Sequence, residues 1–250
     1  MNHQNSIIDI LKAQLKNGDS LPVLSKNSLQ LQDEVIKADP DFKKIETLIK
    51  TDPSVTGHVL KMANSPFYRG LEQISTIRQA MIRLGNTELG NIILQAVHKK
   101  NFQSQDPFIR KHQIRLLNHS ISCAVGALWT ARHLELEDMI PKSFIAGLLH
   151  DMGKLYLLTA FEKLKTNRII KNYPSPALIR EILDKLHSRQ GYELLSHWNL
   201  PKELCHIAGN HHMEKFDQSD VLLVLIRFVD QVVNKMEKGN KEEDTAKIAV

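Results

Sequence analysis

The sequence predicts an all-α protein in two packed helical lobes, and three observations carry that prediction. Apolar residues recur at helical spacing through nearly every segment, and no run alternates apolar with polar residues for long enough to argue for a sheet. Asp-Pro and Gly-Asn pairs stand where helices would begin and end. The 250 residues, 42% hydrophobic and 24% charged, suffice to bury a core without staples. Only two cysteines, Cys123 and Cys205, are present, which excludes a disulfide scaffold and a Cys-built zinc module. The start lacks a basic segment followed by an apolar one, and no window of about 18 apolar residues occurs. The expectation is a soluble, cytoplasmic protein with no membrane partner.

The elements follow in order. Ile7, Ile8, Leu11 and Leu15 form an amphipathic stripe ended near Gly18, an N-terminal helix within 1–19. After Leu21-Pro22, a looser helix carries Leu24, Leu29, Leu31, Val35 and Ile36. Asp39-Pro40 then precedes Phe42, Ile45, Leu48 and Ile49, and Asp52-Pro53 precedes Val55, Val59, Leu60 and Met62. In each pair Asp supplies a cap oxygen, and Pro occupies the first turn, where its missing N–H costs nothing. Asn64 to Gly70 is turn-rich, and Ile77, Ala80, Met81 and Leu84 resume the helical period. Gly85 suits a left-handed C-cap and Asn86 an N-cap for Leu89 through Val97. This helix pair offers no Arg or Lys on its second member for phosphates or base edges, so a DNA-reading role has little support.

The pattern breaks around Asn101 to Pro107, which sets the lobe boundary: a first lobe over 20–105 and a second over 106–238. The second lobe is predicted to hold long helices near 109–133, 141–162, 175–197, 201–211 and 219–238. From Lys235 the chain is mixed in charge and poor in apolar residues, so 239–250 reads as a flexible tail and the stretch before it as solvated.

The net charge of +5 is spread along the chain, which disfavours a nucleic-acid partner; the twelve histidines are the unusual feature. His150-Asp151 sits inside the strongly apolar segment Phe144 to Leu158, where charged groups must be paired, exposed or ligating. Imidazole beside carboxylate suits iron, manganese, zinc or a similar divalent ion. The ordinary alternative is a hydrogen-bonded pair, with Lys154 three residues on as the partner of Asp151. His119 lies beside Ser122, Cys123 and Gly126, and His150 beside Ala146 and Gly147, so two helices each offer an imidazole from a small-residue surface. His187, the doublet His211-His212 and Asp230 are further candidates; Asp230 interrupts the apolar run Val221 to Val233, with Arg227 as its alternative partner. His133, His197 and His206 read as ordinary surface or core histidines.

The succession His119, His150-Asp151, Asp230 resembles the H…HD…D pattern of the HD superfamily of metal-dependent phosphohydrolases. Leu21-Pro22, Asp52-Pro-Ser-Val, Leu60-Lys-Met-Ala-Asn-Ser-Pro-Phe-Tyr, Ile77-Arg-Gln-Ala-Met-Ile-Arg-Leu-Gly85, Phe144 to Leu155 and Trp198-Asn-Leu-Pro-Lys-Glu are similar to the HDOD domain, the HD-related output domain of bacterial signalling proteins. The resemblance spans roughly 20 to 235 and implies an HD-like helical lobe at the C-terminal side. It also implies a regulatory module, here in stand-alone form, acting through protein partners or by sensing a ligand such as a nucleotide or other phosphoester. His119, His150, Asp151, His187, His211, His212 and Asp230 would then hold a divalent metal (iron, manganese, zinc or magnesium), as a structural or a working site. The alternative is a metal-dependent phosphohydrolase in which Lys154 neutralises phosphate charge, as in the related HD-GYP phosphodiesterases, whose positions His187, Gly191 and His211-His212 also resemble. Met213-Glu-Lys-Phe-Asp-Gln departs from that family's Gly-Tyr-Pro signature, which weighs against hydrolysis of cyclic-di-GMP. A nucleic-acid-binding regulator is the third reading.

Overall fold

Cap side chains and backbone breaks set the helix boundaries in the computed structural model, which describes residues 7–16, 26–37, 39–68, 70–100, 104–198 and 200–248. Among these residues there are eleven helices and no strand. They are α1 (Ile7–Lys16), α2 (Lys26–Val35), α3 (Phe42–Lys50), α4 (Pro53–Ala63), α5 (Ile77–Lys100), α6 (Pro107–His133), α7 (Ile140–Leu149), α8 (Met152–Thr166), α9 (Pro176–His197), α10 (Lys202–Asn210) and α11 (Val221–Ile248). The chain divides into two units, one holding residues 23–103 and the other residues 1–22 with 104–250. The expected stop at Gly18, the Leu21-Pro22 step, Leu24 and the boundary residues Asn101 to Gln103 fall outside the described residues.

The smaller unit is α2 to α5 around one apolar core, with Leu31, Ile45, Ile49, Val59, Ile77, Leu84, Leu89 and Ile93 at its centre. The cap of α3 is Asp41, not the expected Asp39. Asp41 is extended, and its carboxylate accepts from the N–H groups of Lys43 (3.0 Å) and Lys44 (3.1 Å), so Pro40 lies just outside the helix. Pro53 opens α4 as expected, and Asp52 accepts from the Val55 N–H at 3.3 Å. Inside α5 the helical path is broken at Gly85, with φ 70° and ψ 176°, a backbone conformation that side chains with a Cβ resist. Both halves of α5 reach the same core through that break. The turn after α4 is clamped by Asn64, whose side chain donates to the Ile74 carbonyl (2.8 Å) and accepts from the Ile74 N–H (3.0 Å), as a paired strand would.

The larger unit contains α1 and α6 to α11. The first helix joins this unit, not a separate segment: it packs on α8, Leu11 is fully buried, and the Tyr156 hydroxyl donates to the Leu15 carbonyl at 3.3 Å. Asp106 caps α6 and Ser175 caps α9, each ahead of a proline at the helix start. The single helix expected over 141–162 is two helices, because the chain turns at His150-Asp151. The last helix continues to Ile248, past the expected end at 238, so residues 239–248 are helical where a flexible tail was expected. Two glycines let helices meet backbone to backbone. A Cβ on Gly147 would fall 2.7 Å from the Cys123 carbonyl oxygen of α6, and a Cβ on Gly153 would overlap the His187 carbonyl of α9. Among the described residues no helix is long and apolar enough to cross a membrane.

Candidate metal centre

Five elements of the larger unit carry the predicted residues to one place: α6 brings His119, the α7–α8 turn His150 and Asp151, α9 His187, the end of α10 His211 and His212, and α11 Asp230. Two groups result. His119, Cys123, His150 and Asp230 place donor atoms within 4.8 Å of one another, as do Asp151, His187, His211 and His212. Asp151 joins the groups: its Oδ2 lies 3.7 Å from His119 Nε2 and 3.6 Å from His150 Nε2, and its Oδ1 lies 3.4 Å from the Nε2 atoms of both His187 and His211.

The local fold explains how Asp151 comes to serve both groups. It is the residue before α8, a position where Asp normally caps the helix with its own oxygen, yet its side chain makes no cap hydrogen bond. The turn directs the carboxylate toward the histidines instead. Gly147 and Gly153, on either side, allow α6 and α9 to approach closely enough to present His119 and His187.

Proton placement follows from the hydrogen bonds. A carbonyl oxygen can only accept, so the ring nitrogen beside it carries the proton. His150 Nδ1 donates to the Gly147 carbonyl (2.8 Å), His187 Nδ1 to Leu183 (2.7 Å), and His211 Nδ1 to Ile207 (3.1 Å) and Ala208 (3.0 Å). In the neutral rings this leaves each Nε2 as an electron pair facing inward. Burial keeps His187 neutral, its pKa pushed down to about 3, and burial together with the neighbouring His211 pushes His212 down to about 4. His187 Nε2 and His211 Nε2 therefore face each other at 3.3 Å, with Asp151 Oδ1 at 3.4 Å from both; the Ser188 hydroxyl, 3.4 Å from His187 Nε2, is the neighbouring donor. His150 Nε2 and Asp151 Oδ1 are buried with no hydrogen bond. Electron pairs gathered around a single hydroxyl donor repel, and a cation between them relieves the repulsion. The spacing fits, since donors about 2.1 Å from a tetrahedral ion stand about 3.4 Å apart. Nδ1 bonds to backbone carbonyls are also what orient metal-binding imidazoles.

His119 is differently placed. Its Nε2 lies 3.0 Å from Asp230 Oδ1 and its Nδ1 3.2 Å from Glu237 Oε1, so both nitrogens face carboxylates. Burial opposes its charge, but the Asp230 contact prevails and raises the pKa to about 11. Burial likewise works against the Asp230 carboxylate, which the His119 contact nonetheless holds well below the usual range. Asp151 is also held low: Lys154, whose Nζ sits 2.6 Å from Oδ2, outweighs its burial. The i+3 pairing of Lys154 with Asp151 is thus present together with the cluster, and one oxygen of Asp151 remains for other uses. Arg227 does not pair with Asp230. It donates to the carbonyls of His211 (2.8 Å) and Asn210 (3.3 Å) and holds the end of α10, while Asp230 accepts from Asn234 at 2.8 Å.

Three contributors do not stand out in the sequence. Cys123 Sγ, 3.5 Å from His119 Nε2, reads there as one of several small residues. Glu237 belongs to the stretch read as solvated, and Asn234 carries no motif. Continued helical spacing of α11 beyond Asp230 is the signal that would have found both, since Asn234 and Glu237 follow it by one and two turns.

Crossing helices that enclose a histidine and aspartate cluster define an all-helical domain of the HD type. The HDOD domain model matches residues 21–214, and the chain belongs to the HDOD domain family. An uncharacterized protein of Treponema pallidum (strain Nichols) is 26% identical over 198 residues, 78% of this chain and 38% of the relative, so the chain spans well under half of that protein's length. Among solved structures, a candidate metal-dependent phosphohydrolase from Shewanella amazonensis SB2B superposes with a TM-score of 0.72 at 19% identity, covering 96% of this chain and 86% of the other. An HDOD domain protein of unknown function from Geobacter sulfurreducens follows at 0.66 and 22%, covering 89% and 76%. A candidate signal transduction protein from Marinobacter aquaeolei VT8 gives 0.61 and 15%, covering 92% and 56%. At these identities the likeness is one of fold.

Proposed function

We propose that this chain is an HDOD regulatory module whose larger unit binds a divalent metal and senses a phosphorylated ligand there, and which acts through a protein partner. One observation carries the reading: His187 Nε2, His211 Nε2 and Asp151 Oδ1 converge as acceptors within 3.4 Å. His119, His150, Asp151 and Asp230 would hold an ion on one side, and Asp151, His187, His211 and His212 on the other. A bound iron, manganese, zinc or magnesium ion supplies Lewis acidity toward a phosphate oxygen. Lys154 fixes Asp151 and places an ammonium beside the site. Phe67, Leu71 and Ile82 lie exposed in the smaller unit and support protein contact as the output.

The second reading, a metal-dependent phosphohydrolase, draws on Lys154 and on the cleft that opens over His187, His211, His212 and Asp230. Elemental analysis of protein purified without added metal tests both. Stoichiometric iron, manganese or zinc, lost in His150→Ala, is the expected result, and metal-free protein overturns the proposal. In the metal-loaded protein, absence of phosphoester turnover supports the sensor. Turnover that disappears in Asp151→Ala replaces it with the hydrolase.

A further inference from the structure

The cleft above the histidines has a volume of about 1090 Å³ and is lined by six lysine and arginine side chains against two carboxylates, Asp184 and Asp230. Two of the six cations are engaged: Lys154 with Asp151, and Arg227 with the α10 carbonyls and the Phe216 ring. The other four, Arg115 on α6, Arg180 on α9 and Lys235 and Lys238 on α11, form no ion pair with any described residue. Elsewhere on α9 the cations are answered one turn away, Lys185 by Glu181 at 2.7 Å and Arg189 by Glu193 at 2.9 Å. The cleft side of the same helix leaves Arg180 unanswered. Of the two acids, Asp230 is committed to His119 and Asn234.

Four like charges from three helices, facing one concavity, repel one another unless an anion joins them. Their field is felt locally: burial first, then the charges of Arg115, Lys111 and Arg180, push the His112 imidazole down. Guanidinium groups suit phosphate oxygens by geometry as well as charge. The volume exceeds what one phosphate fills and lies just above the usual range of a small-molecule site, about 300–1,000 Å³. Apart from histidines the lining contains no aromatic ring, so the charged groups outweigh any stacking surface.

We propose that the cleft binds a ligand carrying at least two linked phosphates, one above the histidine and aspartate floor beside Lys154 and the next held by Arg115, Arg180, Lys235 and Lys238. This rests on the reading of the larger unit as a phosphate-ligand sensor and adds what that ligand must carry. A free oligophosphate and a nucleoside polyphosphate share this chemistry.

Calorimetric titration of the full chain, stripped of metal by chelator, with orthophosphate, tripolyphosphate, AMP and ATP tests it. Tripolyphosphate and ATP are expected to bind at least about tenfold more tightly than orthophosphate and AMP. The difference is expected to vanish in Arg180→Gln/Lys235→Gln and to persist in Arg189→Gln, with circular dichroism unchanged in each. ATP binding more tightly than tripolyphosphate names a nucleotide as the source, and equal binding names the phosphate chain; both uphold the two-phosphate requirement. Equal affinity for all four probes, or discrimination untouched by the double variant, overturns the proposal. Protein that elemental analysis finds metal-free as purified, yet whose titrations discriminate, upholds the two-phosphate requirement while removing the metal reading. Protein that carries metal as purified but fails to discriminate once stripped removes the requirement and leaves the metal reading standing.

Discussion

Glu34 in the smaller unit and Asp151 in the larger are both carboxylates shut away from solvent, 2% and 1% exposed, and the chain treats them in opposite ways. Glu34 is answered on every side: Lys37 reaches both oxygens at 3.0 and 2.9 Å, Lys44 lies 2.7 Å from one, and the Asp41 N–H donates to the other at 3.1 Å. Asp151 has Lys154 on one oxygen, while the other faces the Nε2 atoms of His187 and His211 at 3.4 Å and makes no hydrogen bond. A buried acceptor left without a donor costs about 1–3 kcal/mol. The smaller unit satisfies its buried carboxylate with its own side chains and backbone, and the larger leaves one unsatisfied in the middle of its helices. A charge satisfied internally is architecture. One left incomplete among four histidines is a place kept for something the chain does not itself supply.

The sharpest way to break this contrast is through the backbone that frames Asp151. Gly153→Ala would drive a methyl group into the His187 carbonyl and the Gly191 N–H, neither of which can rotate away. The expected loss is about 4 kcal/mol or more, read by urea denaturation, or failure to fold. In the smaller unit Gly90→Ala meets only the Val35 Cγ1 atom at 3.0 Å, the end of a side chain. Its expected effect stays within about 1 kcal/mol. Equal costs at the two glycines would remove the claim that the larger unit is built on close backbone approach to its site.

Next in size is the response to metal. An ion that binds the native state at 100 times its dissociation constant stabilises it by about 2.7 kcal/mol. Manganese or zinc should raise the unfolding midpoint of the wild type, and Asp151→Asn should abolish that rise, since Asp151 belongs to one donor group and lies within 3.7 Å of His119 and His150 of the other. Glu237→Gln should weaken metal affinity by about tenfold only, because Glu237 orients His119 and touches no other donor of the cluster. A wild type indifferent to metal would contradict the role of Asp151 as the shared ligand. A Glu237 variant as impaired as the Asp151 one would make Glu237 more than an orienting group.

How much of this could be read from the chain depends on what each feature requires. Helical period and cap residues are local, so the all-α class, the α4 start at Asp52-Pro53 and the break at Gly85 are legible. The α3 cap falls two residues past the expected one because Asp39 and Asp41 flank the same proline, and only the backbone decides which carboxylate meets the free N–H groups. The helix break at His150-Asp151 is hidden because apolar residues continue on both sides of it at helical spacing. The seven residues singled out in the sequence do lie together in space; six are buried histidines and acids that need partners, and His212 is exposed at the edge of the group. Pairings set by distant helices are not legible: Arg227 is expected near Asp230, one turn away, and instead reaches the end of α10. Glu237 looks solvated because its neighbours in sequence are polar, while its neighbour in space is His119.

The smallest effect tests the completed carboxylate. Lys44 first, then Lys37 and the Asp41 N–H, hold the Glu34 carboxyl down at about 2, against an ordinary 4.5. A carboxyl that is more acidic in the folded chain stabilises it fully above the ordinary value, and that contribution is lost as the pH falls toward the folded one. The wild type should therefore lose stability between about pH 4.5 and pH 2 more steeply than Glu34→Gln, which has no proton to take up at that position. Other carboxylates titrate in the same window, so the informative quantity is the difference between the two unfolding curves. It should be constant above about pH 5 and shrink below it. A difference that stays constant down to about pH 2 would mean that the lysines around Glu34 do not hold it in the way the geometry indicates, and the distinction between a completed carboxylate and an incomplete one would lose its reference case.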